Sequence, residues 1–321
     1  MSTIHYLNVK NGDCSIIQHN SGRVSVIDVN NAKPYDKFDT DTGTFGFSGR
    51  NQKEFPVNPI AYMIARKINS VFRFILTHPD MDHMDGIGDF FNYFSPVNFW
   101  DTNNTKPDPD FSSGHFNEID WDFYKSLRDH NFSAPKRLTL LNGSKGAFFN
   151  RNAEGGGGGD GITILAPTQN LVNYANNNEF WNDISYVLLY RTAERKILFG
   201  GDADSETWKW LMANHQNDIS NVDLLIAPHH GRKSSCSYEF LKIVNPTMTF
   251  FGNTDKASHL AHDMFNNLGL RRITNNQGNC LIADINKEGI HIYVTHEDFA
   301  RGCNPDTFHN ERLKAYYLET I

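Results

Sequence analysis

The chain of 321 residues is long enough to bury a substantial core, and its 24 phenylalanines are typical of a packed globular protein. Its 30 basic and 37 acidic residues give a formal net charge of −7, which provides no general basic surface for nucleic acid, without excluding a nuclease that binds metal ions. No apolar run approaches the roughly 18 residues that span a bilayer. The N-terminus also lacks a signal-peptide pattern, so we expect a cytoplasmic protein without membrane contact.

The beginning of the chain predicts a small antiparallel sheet followed by a helix and a buried strand. Three β-rich runs separated by turn residues predict an antiparallel meander at 4–9, 14–18 and 24–29. Apolar residues at helical spacing predict a helix over 56–68. A short apolar run then predicts a buried strand over 71–76.

The remainder alternates predicted helices and strands. The helices are expected at 84–94, 206–213, 238–244 and 260–268. The strands are expected at 162–165, 185–190, 196–200, 222–227, 247–251, 281–285 and 291–294. Residues 101–135, rich in Asn, Asp, Pro and Ser around a short helix, predict a lid-like insertion, and a polar, partly helical tail follows residue 296. Since no repeat or linker interrupts the pattern, we predict a single domain over 1–321, built of mixed sheets covered by helices.

Four potential metal ligands directly follow the strand at 71–76: His78, Asp80, Asp82 and His83. Polar groups at this density need a compensating partner where a buried strand ends, and a metal ion is the usual one. An ordinary helix N-cap would use one of the aspartates but neither histidine. The sequence therefore predicts a metal site at this turn.

Two further strand ends carry ligand-type residues. Asp202 follows the strand at 196–200, and His229 and His230 follow the strand at 222–227. Nitrogen and oxygen ligands without a thiolate favour zinc or manganese. Because there are more ligands than one ion needs, we predict two divalent cations with one bridging carboxylate, an arrangement that activates a shared water.

These motifs, in this order, resemble the metallo-β-lactamase fold, and most closely the hydrolase domain of the DNA-uptake competence protein ComEC. The resemblance covers about residues 4–294, and its segments are 7–14, 26–28, 78–83, 182–187, 198–202 and 227–231. It implies an α/β fold, an αββα sandwich of two mixed β-sheets flanked by helices.

The resemblance also implies a division of the ligands between two ions. His78, Asp80 and Asp202 would hold one ion. Asp82, His83, Asp202 and one of the adjacent histidines at 229 and 230 would hold the other.

The sequence leaves open which of the two adjacent histidines is the metal ligand. We expect His229, which is nearer the strand end, to be the ligand, and His230 to face the substrate or to support a ligand. Asp82 is also a candidate for orienting or deprotonating the attacking water, as in relatives. Asn182 and Ser185 are candidates for contacts with the substrate or for support of the site, and equally for capping a turn.

The chain departs from the family pattern in two places. Asp85 and Gly86 stand where a Gly-Gly pair is usual, so the turn should differ slightly. An Asn-then-His element is stretched over 252–259, and its His259 is a candidate general acid or phosphate contact.

The resemblance implies a metal-dependent hydrolase, and the Asp-containing first motif is similar to that of phosphodiester-cleaving members. We therefore predict a phosphodiesterase or nuclease that acts on nucleic acid or a nucleotide, and the acidic balance favours a small nucleotide. Two alternatives are a phosphocholine-esterase-like ester hydrolase and a metal-stabilised interaction protein without turnover. Four basic side chains are candidates either for lining a substrate channel or for the solvated surface: Lys106, Lys136, Arg232 and Lys233.

Overall fold

The larger of two β-sheets holds both ends of the chain in this computed structural model, which describes residues 1–34, 51–130, 133–234 and 236–321. Its ten strands are β1 Ser2–Tyr6, β2 Ser15–Gln18, β3 Val24–Ile27, β4 Arg73–Ile75, β5 Asn98–Asp101, β6 Lys136–Thr139, β13 Leu281–Ile285, β14 Ile290–Val294, β15 His309–Asn310 and β16 Ala315–Thr320. The spatial order is β15-β16-β14-β13-β1-β2-β3-β4-β5-β6. The pairs from β15 to β3 are antiparallel, which confirms the predicted meander, and those from β3 to β6 are parallel.

The smaller sheet is built from the middle of the chain. Its six strands are β7 Ile162–Ala166, β8 Val187–Thr192, β9 Arg195–Phe199, β10 Leu224–Ile226, β11 Met248–Phe251 and β12 Arg272–Thr274. Strands β7 to β9 pair antiparallel, and β9 to β12 pair parallel. Both sheets are therefore mixed, as predicted.

Helices cover the outer faces of the two sheets. They are α1 Pro59–Ala65, α2 Ile87–Phe94, α3 Glu118–Asp129, α4 Gln169–Asn178, α5 Ser205–Asn214, α6 Gln216–Ile219, α7 Phe240–Val244, α8 His262–Asn267, α9 Asn275–Gly278 and α10 Glu297–Cys303. None of those described is long and apolar enough to cross a membrane.

Three apolar layers hold this arrangement together. Side chains such as Ile75 of β4 and Phe199 of β9 share one buried cluster between the two sheets. Phe90 of α2 packs in a second cluster on the larger sheet. Trp208 of α5 and Phe240 of α7 pack in a third on the smaller sheet, with their rings stacked 3.8 Å apart. The predicted αββα sandwich of two mixed sheets flanked by helices is confirmed.

The parallel strands determine where the polar segments meet. Asp28 follows β3 and His78 follows β4, while Asp202 follows β9 and His230 follows β10. Carboxyl ends of neighbouring parallel strands lie at the same edge of a sheet, which is where open α/β sheets place their ligands. The four segments are therefore delivered to one edge of the sandwich.

The end of the chain differs from the predicted polar tail. After α10, strand β16 pairs with β14 and extends the larger sheet, and its Ala315 and Leu318 are buried. The strand was not predicted, although tyrosines are typical of strands, because its pairing with β14 is a contact between separate parts of the chain. The short helix expected in the insertion at 101–135, of which 131 and 132 lie outside the described residues, is α3. It begins at Glu118, where Asn117 accepts a hydrogen bond from the amide of Ile119 as N-cap.

Candidate metal centre

The turn after β4 brings two imidazoles together in the interior. Residues Met81–His83 form a single 3₁₀ turn, so His83 folds back onto His78, with the ring centroids 4.2 Å apart. Both rings are fully buried. The density of ligand-type residues predicted here is therefore a spatial cluster as well as a sequence motif.

Four side chains form what we call the inner group: His78, His83, Asp202 and His230, each less than 5% exposed. Nε2 of His83 lies 3.3 Å from Oδ1 of Asp202, and Nε2 of His230 lies 3.5 Å from Oδ2 of the same carboxylate. Asp202 thus lies between an imidazole that follows a strand of the larger sheet and one that follows a strand of its own sheet.

A second carboxylate, that of Asp28, holds the ring of His83 through the nitrogen that faces away from Asp202. Oδ2 of Asp28 lies 2.8 Å from Nδ1 of His83, and Asp28 also accepts hydrogen bonds from the amide and hydroxyl of Thr77 at 2.7 Å. The hydroxyl of Thr77 lies 3.2 Å from Nδ1 of His78. With Nδ1 engaged in this way, Nε2 of each ring points into the cluster, which is the usual orientation of a metal-ligating histidine.

His230 has a support of the same kind from the first turn of the chain. Oδ1 of Asp13 lies 3.0 Å from Nδ1 of His230 and accepts a 2.6 Å hydrogen bond from the hydroxyl of Tyr6. Tyr6 is fully buried in β1. The position of His230 is therefore determined by strands at the opposite end of the chain.

Three side chains form what we call the outer group: Asp80, Asp82 and His229, whose side chains are between 19% and 33% exposed. Oδ2 of Asp80 lies 3.5 Å from Nε2 of His78, and Oδ2 of Asp82 lies 3.3 Å from Nε2 of His230. Nε2 of His229 is more distant, 3.7 Å from Oδ2 of Asp202. These residues stand between the inner group and solvent.

The turn at 228–231 directs His230 toward the inner group, whereas the sequence-based expectation was that His229 is the ligand. His229 and His230 both have left-handed backbone angles, with φ of 53° and 56°, so the chain reverses at the strand end and turns His230 inward. His230 belongs to the groups whose ligand atoms lie within 4.8 Å of one another, and His229 does not. Strained angles of this kind in non-glycine residues are concentrated at functional sites. The geometry favours His230, not His229, as the inward-facing imidazole.

Asp202 is positioned by a close approach between two backbone segments. Gly201, with φ of +50°, comes so near that an added Cβ would lie 3.0 Å from the Cβ of Ser185. The hydroxyl of Ser185 accepts a 3.2 Å hydrogen bond from the amide of Asp202. Ser185, a candidate for substrate contact, support of the site or turn capping, thus lies in contact with the backbone of Asp202.

Asn182 lies beside the cluster rather than within it. It belongs to the 3₁₀ turn Trp181–Ile184 and lines a cavity of about 270 Å³ that also reaches Asp80. The remaining walls of this cavity are acidic or aromatic and comprise Glu179, Phe180, Trp181, Asp183 and Asp204. Asn182 can therefore contact a group that enters next to Asp80.

His259 is not brought to the cluster by any contact between described residues. It ends a short 3₁₀ turn, and the contacts found for it are backbone hydrogen bonds with Lys233 and Lys256. The neighbouring His262 accepts a hydrogen bond from Arg272 and stacks on Phe251. The expected role of His259 as a general acid therefore has no support from its position.

The electrostatics of the inner group favour positive charge. Burial would lower the pKa of His83, but the carboxylates of Asp202 and Asp28 outweigh burial and raise that pKa well above its usual value. Asp202 and Asp13 raise the pKa of His230 against burial in the same way. Burial would raise the pKa of Asp202, yet the facing histidines hold it well below its usual range. This field attracts either a proton or a metal ion.

The outer carboxylates experience a similar balance. Burial would raise the pKa of Asp80, but the imidazole of His78 and the ammonium of Lys106 outweigh it and hold that pKa well below its usual range. Burial would also raise the pKa of Asp82, but the nearby imidazoles of His83 and His230 outweigh burial, and the pKa of Asp82 is lowered overall. Both carboxylates are therefore ionised at neutral pH and available as ligands.

The donor atoms present fit a metal ion. Several buried atoms of the inner group make no hydrogen bond, namely Nε2 of His78, His83 and His230 and Oδ1 of Asp202. Each such atom costs about 1–3 kcal/mol if it stays unsatisfied. Ligand atoms about 2.1 Å from a tetrahedral metal are about 3.4 Å apart. The 3.3–3.5 Å separations between nitrogen and oxygen atoms here match that spacing.

Two contributors are not among the predicted site residues: Asp28 and Asp13. A carboxylate directly after β3 is a usable sequence signal for Asp28, whereas tertiary contacts alone identify Asp13. Of the four cations with an open assignment between a substrate channel and the solvated surface, Lys106 has its ammonium in contact with Oδ1 of Asp80.

Comparisons with known proteins show the fold. No protein-family model matches the sequence. No curated protein matches it either. Among solved structures, a mutant of the CmlA β-hydroxylase from Streptomyces venezuelae is similar, with a TM-score of 0.50 and 11% identity, over 88% of this chain and 54% of that chain. The chain thus spans about half the length of CmlA.

Two other solved structures are similar over their whole length. The metallo hydrolase Igni18 from Ignicoccus hospitalis has a TM-score of 0.49 and 9% identity, over 88% of this chain and 99% of that chain. The metallo-β-lactamase fold protein YhfI from Bacillus subtilis has a TM-score of 0.46 and 10% identity, over 88% and 100%. At these identities the likeness concerns the fold alone.

Proposed function

We propose that the chain is a metal-dependent hydrolase that cleaves phosphodiesters with two divalent cations, zinc or manganese, bound at the cluster. The observation that carries the proposal is the set of buried, unpaired nitrogen and oxygen atoms at ligand spacing around Asp202. The resemblance of the sequence motifs to the ComEC-type hydrolase domain supports the same conclusion. The fold alone would not, because it also occurs in a β-hydroxylase.

Within this proposal, His78, Asp80 and Asp202 would hold one ion. Asp82, His83, Asp202 and His230 would hold the other, with His230 in the place for which the sequence-based preference was His229. Ions bound there would activate a water and neutralise charge on the phosphoryl oxygens.

The protein's own residues supply orientation and proton transfer. Asp28 and Asp13 hold His83 and His230 with Nε2 inward, as metal-ligating imidazoles require. Asp82 is partly exposed, so its carboxylate can accept the proton of the attacking water at the mouth of the site. His229, whose side chain is 19% exposed, would be available to contact the substrate.

The carboxylate content supports phosphodiesters over other substrates. Three aspartates and no cysteine belong to the cluster, and carboxylate ligands suit the harder ions, such as manganese, used in phosphoryl transfer. The acidic cavity beside Asp80 is small, so it favours one nucleotide or a short strand over a long polyanionic duplex.

The proposal is tested by loading the protein with Mn²⁺ or Zn²⁺, measuring metal content, and assaying bis-p-nitrophenyl phosphate, cyclic nucleotides, RNA, and single-stranded and duplex DNA. We expect two ions per chain and turnover that Asp82→Asn reduces. Asp298→Asn, at an exposed position on α10, is the matched control and should keep full activity.

Other outcomes would select the alternatives. Turnover of phosphocholine or carboxyl esters without turnover of any nucleotide would indicate an ester hydrolase. A protein that binds metal and hydrolyses none of these substrates would contradict the proposal and indicate a metal-stabilised interaction protein.

A further inference from the structure

Lys106 is held at the edge of the metal centre by its backbone. Its carbonyl accepts a 3.1 Å hydrogen bond from Nη1 of Arg128 on α3, and its amide donates a 3.3 Å hydrogen bond to Oδ1 of Asn104. The amide of Thr105 donates to Oδ1 of Asn176 on α4 at 3.0 Å. The segment that carries Lys106 is therefore fixed between two helices.

The support of this segment continues into the core. The side-chain amide of Asn104 donates a 2.7 Å hydrogen bond to the hydroxyl of Tyr124, which is fully buried. Asp101, also buried, accepts a 2.8 Å hydrogen bond from Arg137 and lies beside the same hydroxyl. Lys106 thus differs from a solvated surface lysine, and its side chain is only 15% exposed.

The ammonium of Lys106 shares the carboxylate of Asp80 with His78. It contacts Oδ1, whereas Oδ2 lies 3.5 Å from Nε2 of His78. Asp80 can therefore face the inner group with one oxygen while Lys106 stays in contact with the other. Among Lys and Arg residues of the described chain, Lys106 is the one that pairs with a carboxylate of the cluster.

With metal ions bound at the cluster, the charges around Lys106 would favour the binding of an anion. The cavity that opens beside Asp80 is lined by Glu179, Asp183 and Asp204, so an anionic substrate would otherwise meet carboxylates there. Metal cations bound at the cluster would repel the ammonium of Lys106, and an anion between them would remove that repulsion. A compact ammonium with three donors suits a phosphoryl oxygen.

We propose that Lys106 binds a phosphoryl oxygen of the substrate next to Asp80, so that the insertion contributes a substrate-binding residue to the metal centre. This inference rests on the proposed function, since it assumes an anionic phosphoryl group at the cluster. Lys106 adds positive charge at the side of the cluster where the cavity opens.

The test compares Lys106→Gln and Lys106→Arg with Lys125→Gln in the Mn²⁺-loaded protein. Lys125 is the matched control, because it lies on the same insertion and pairs with the exposed carboxylates of Asp108 and Asp122. Binding of inorganic phosphate is measured by titration calorimetry, metal content by mass spectrometry, and KM and kcat with bis-p-nitrophenyl phosphate.

We expect Lys106→Gln to weaken phosphate binding and raise KM about tenfold to 100-fold, as for loss of a charge-assisted hydrogen bond. Lys106→Arg should recover part of the loss, and Lys125→Gln should match the wild type. Metal content should not fall in Lys106→Gln, because removing a positive charge does not weaken the binding of a cation.

Two results would overturn the inference. One is phosphate binding by Lys106→Gln equal to that of Lys125→Gln. The other is loss of metal from Lys106→Gln, which would mean that Lys106 only holds Asp80 in place. Wild-type protein that binds phosphate through Lys106 but cleaves no phosphodiester would support the inference and contradict the proposed function, so the two failures are distinguishable.

Discussion

The inner and outer groups of the metal centre differ in what holds them. Each inner imidazole is buried and has its second nitrogen beside a partner from the scaffold, such as Asp28 for His83 and Asp13 for His230. The outer carboxylates are about one-third exposed and depend on histidines of the cluster and on Lys106. The inner group is thus preorganised by strands of the sandwich, whereas the outer group depends on the insertion and on charge.

Under the proposed function, this difference would separate metal binding from substrate binding and turnover. Residues fixed on strands of the scaffold give precise sites, and residues near solvent can respond to an incoming ligand. We therefore expect substitutions in the inner group to act mainly on metal affinity. Substitutions in the outer group should act more on turnover and on substrate binding.

The largest effect is expected for Asp202→Ala, which removes the carboxylate shared by both halves of the centre. Loss of metal and of activity should exceed the 10–100-fold typical of residues that only support a ligand. Metal content after dialysis and turnover of bis-p-nitrophenyl phosphate are the measurements, with Asp298→Asn as the control. A variant that keeps two ions would contradict the shared position of Asp202.

The two adjacent histidines provide the most direct comparison of an inner with an outer residue. His230→Gln should lower metal affinity at least tenfold, because it removes a buried ligand, and His229→Gln should leave metal content close to that of the wild type. Both positions have left-handed backbone angles, so the backbone cost of substitution is matched. If the ranking by calorimetric metal titration is reversed, the sequence-based preference for His229 was right.

The supporting carboxylates should have a smaller effect than the ligands. Asp28→Asn and Asp13→Asn keep the shape but lose the charge that orients His83 and His230, so we expect each to lower metal affinity about 10–100-fold. Asp108→Asn, on the exposed surface of the insertion, is the control. Unchanged metal affinity in both variants would show that the scaffold does not preorganise the inner group.

Buried histidines of the scaffold should respond to acid in a manner opposite to those of the inner group. Burial lowers the pKa of His5 to about 3, while it contacts the hydroxyl of Tyr62 and the amide oxygen of Gln18. Because the folded pKa lies below the unfolded value of 6.5, the stability from neutral His5 is complete above pH 6.5. It is lost as the pH falls from 6.5 towards 3.

The last prediction concerns that slope, which is independent of metal binding. Between pH 6 and 4, His5→Gln should reduce the pH dependence of the free energy of unfolding by about 1.4 kcal/mol per pH unit, the value for one proton. Urea denaturation at several pH values measures this pH dependence. The slope is informative even if the variant is less stable than the wild type at every pH. An unchanged slope would mean that His5 titrates normally in the folded protein.

Much of the fold and of the inner group could be predicted from local sequence. Buried runs such as 71–76 and 222–227 have β-type composition, and ligand-type residues follow them directly, so both strands and sites were recognisable. The order of His229 and His230 could not be predicted, because it depends on the left-handed backbone angles that both residues adopt in the turn at 228–231.

Other features depend on contacts between distant parts of the chain. Asp13 reaches His230 across the sandwich, and Lys106 reaches Asp80 from the insertion. Strand β16 pairs with β14 from a separate part of the chain. For His259 a suitable residue type alone was not a sufficient signal, since its contacts among the described residues are backbone hydrogen bonds with Lys233 and Lys256.

The pairing of β1 with β13 also has a consequence for biosynthesis. Ser2 is opposite Ile285 and Tyr6 is opposite Leu281, so β1 is translated long before its neighbour on that side exists. At roughly 5–20 residues per second, the intervening chain takes from about a quarter of a minute to about one minute to synthesise. During that interval the nascent chain carries an unpaired strand edge, which favours aggregation. We therefore expect slower induction at lower temperature, or added chaperones, to raise the yield of folded protein.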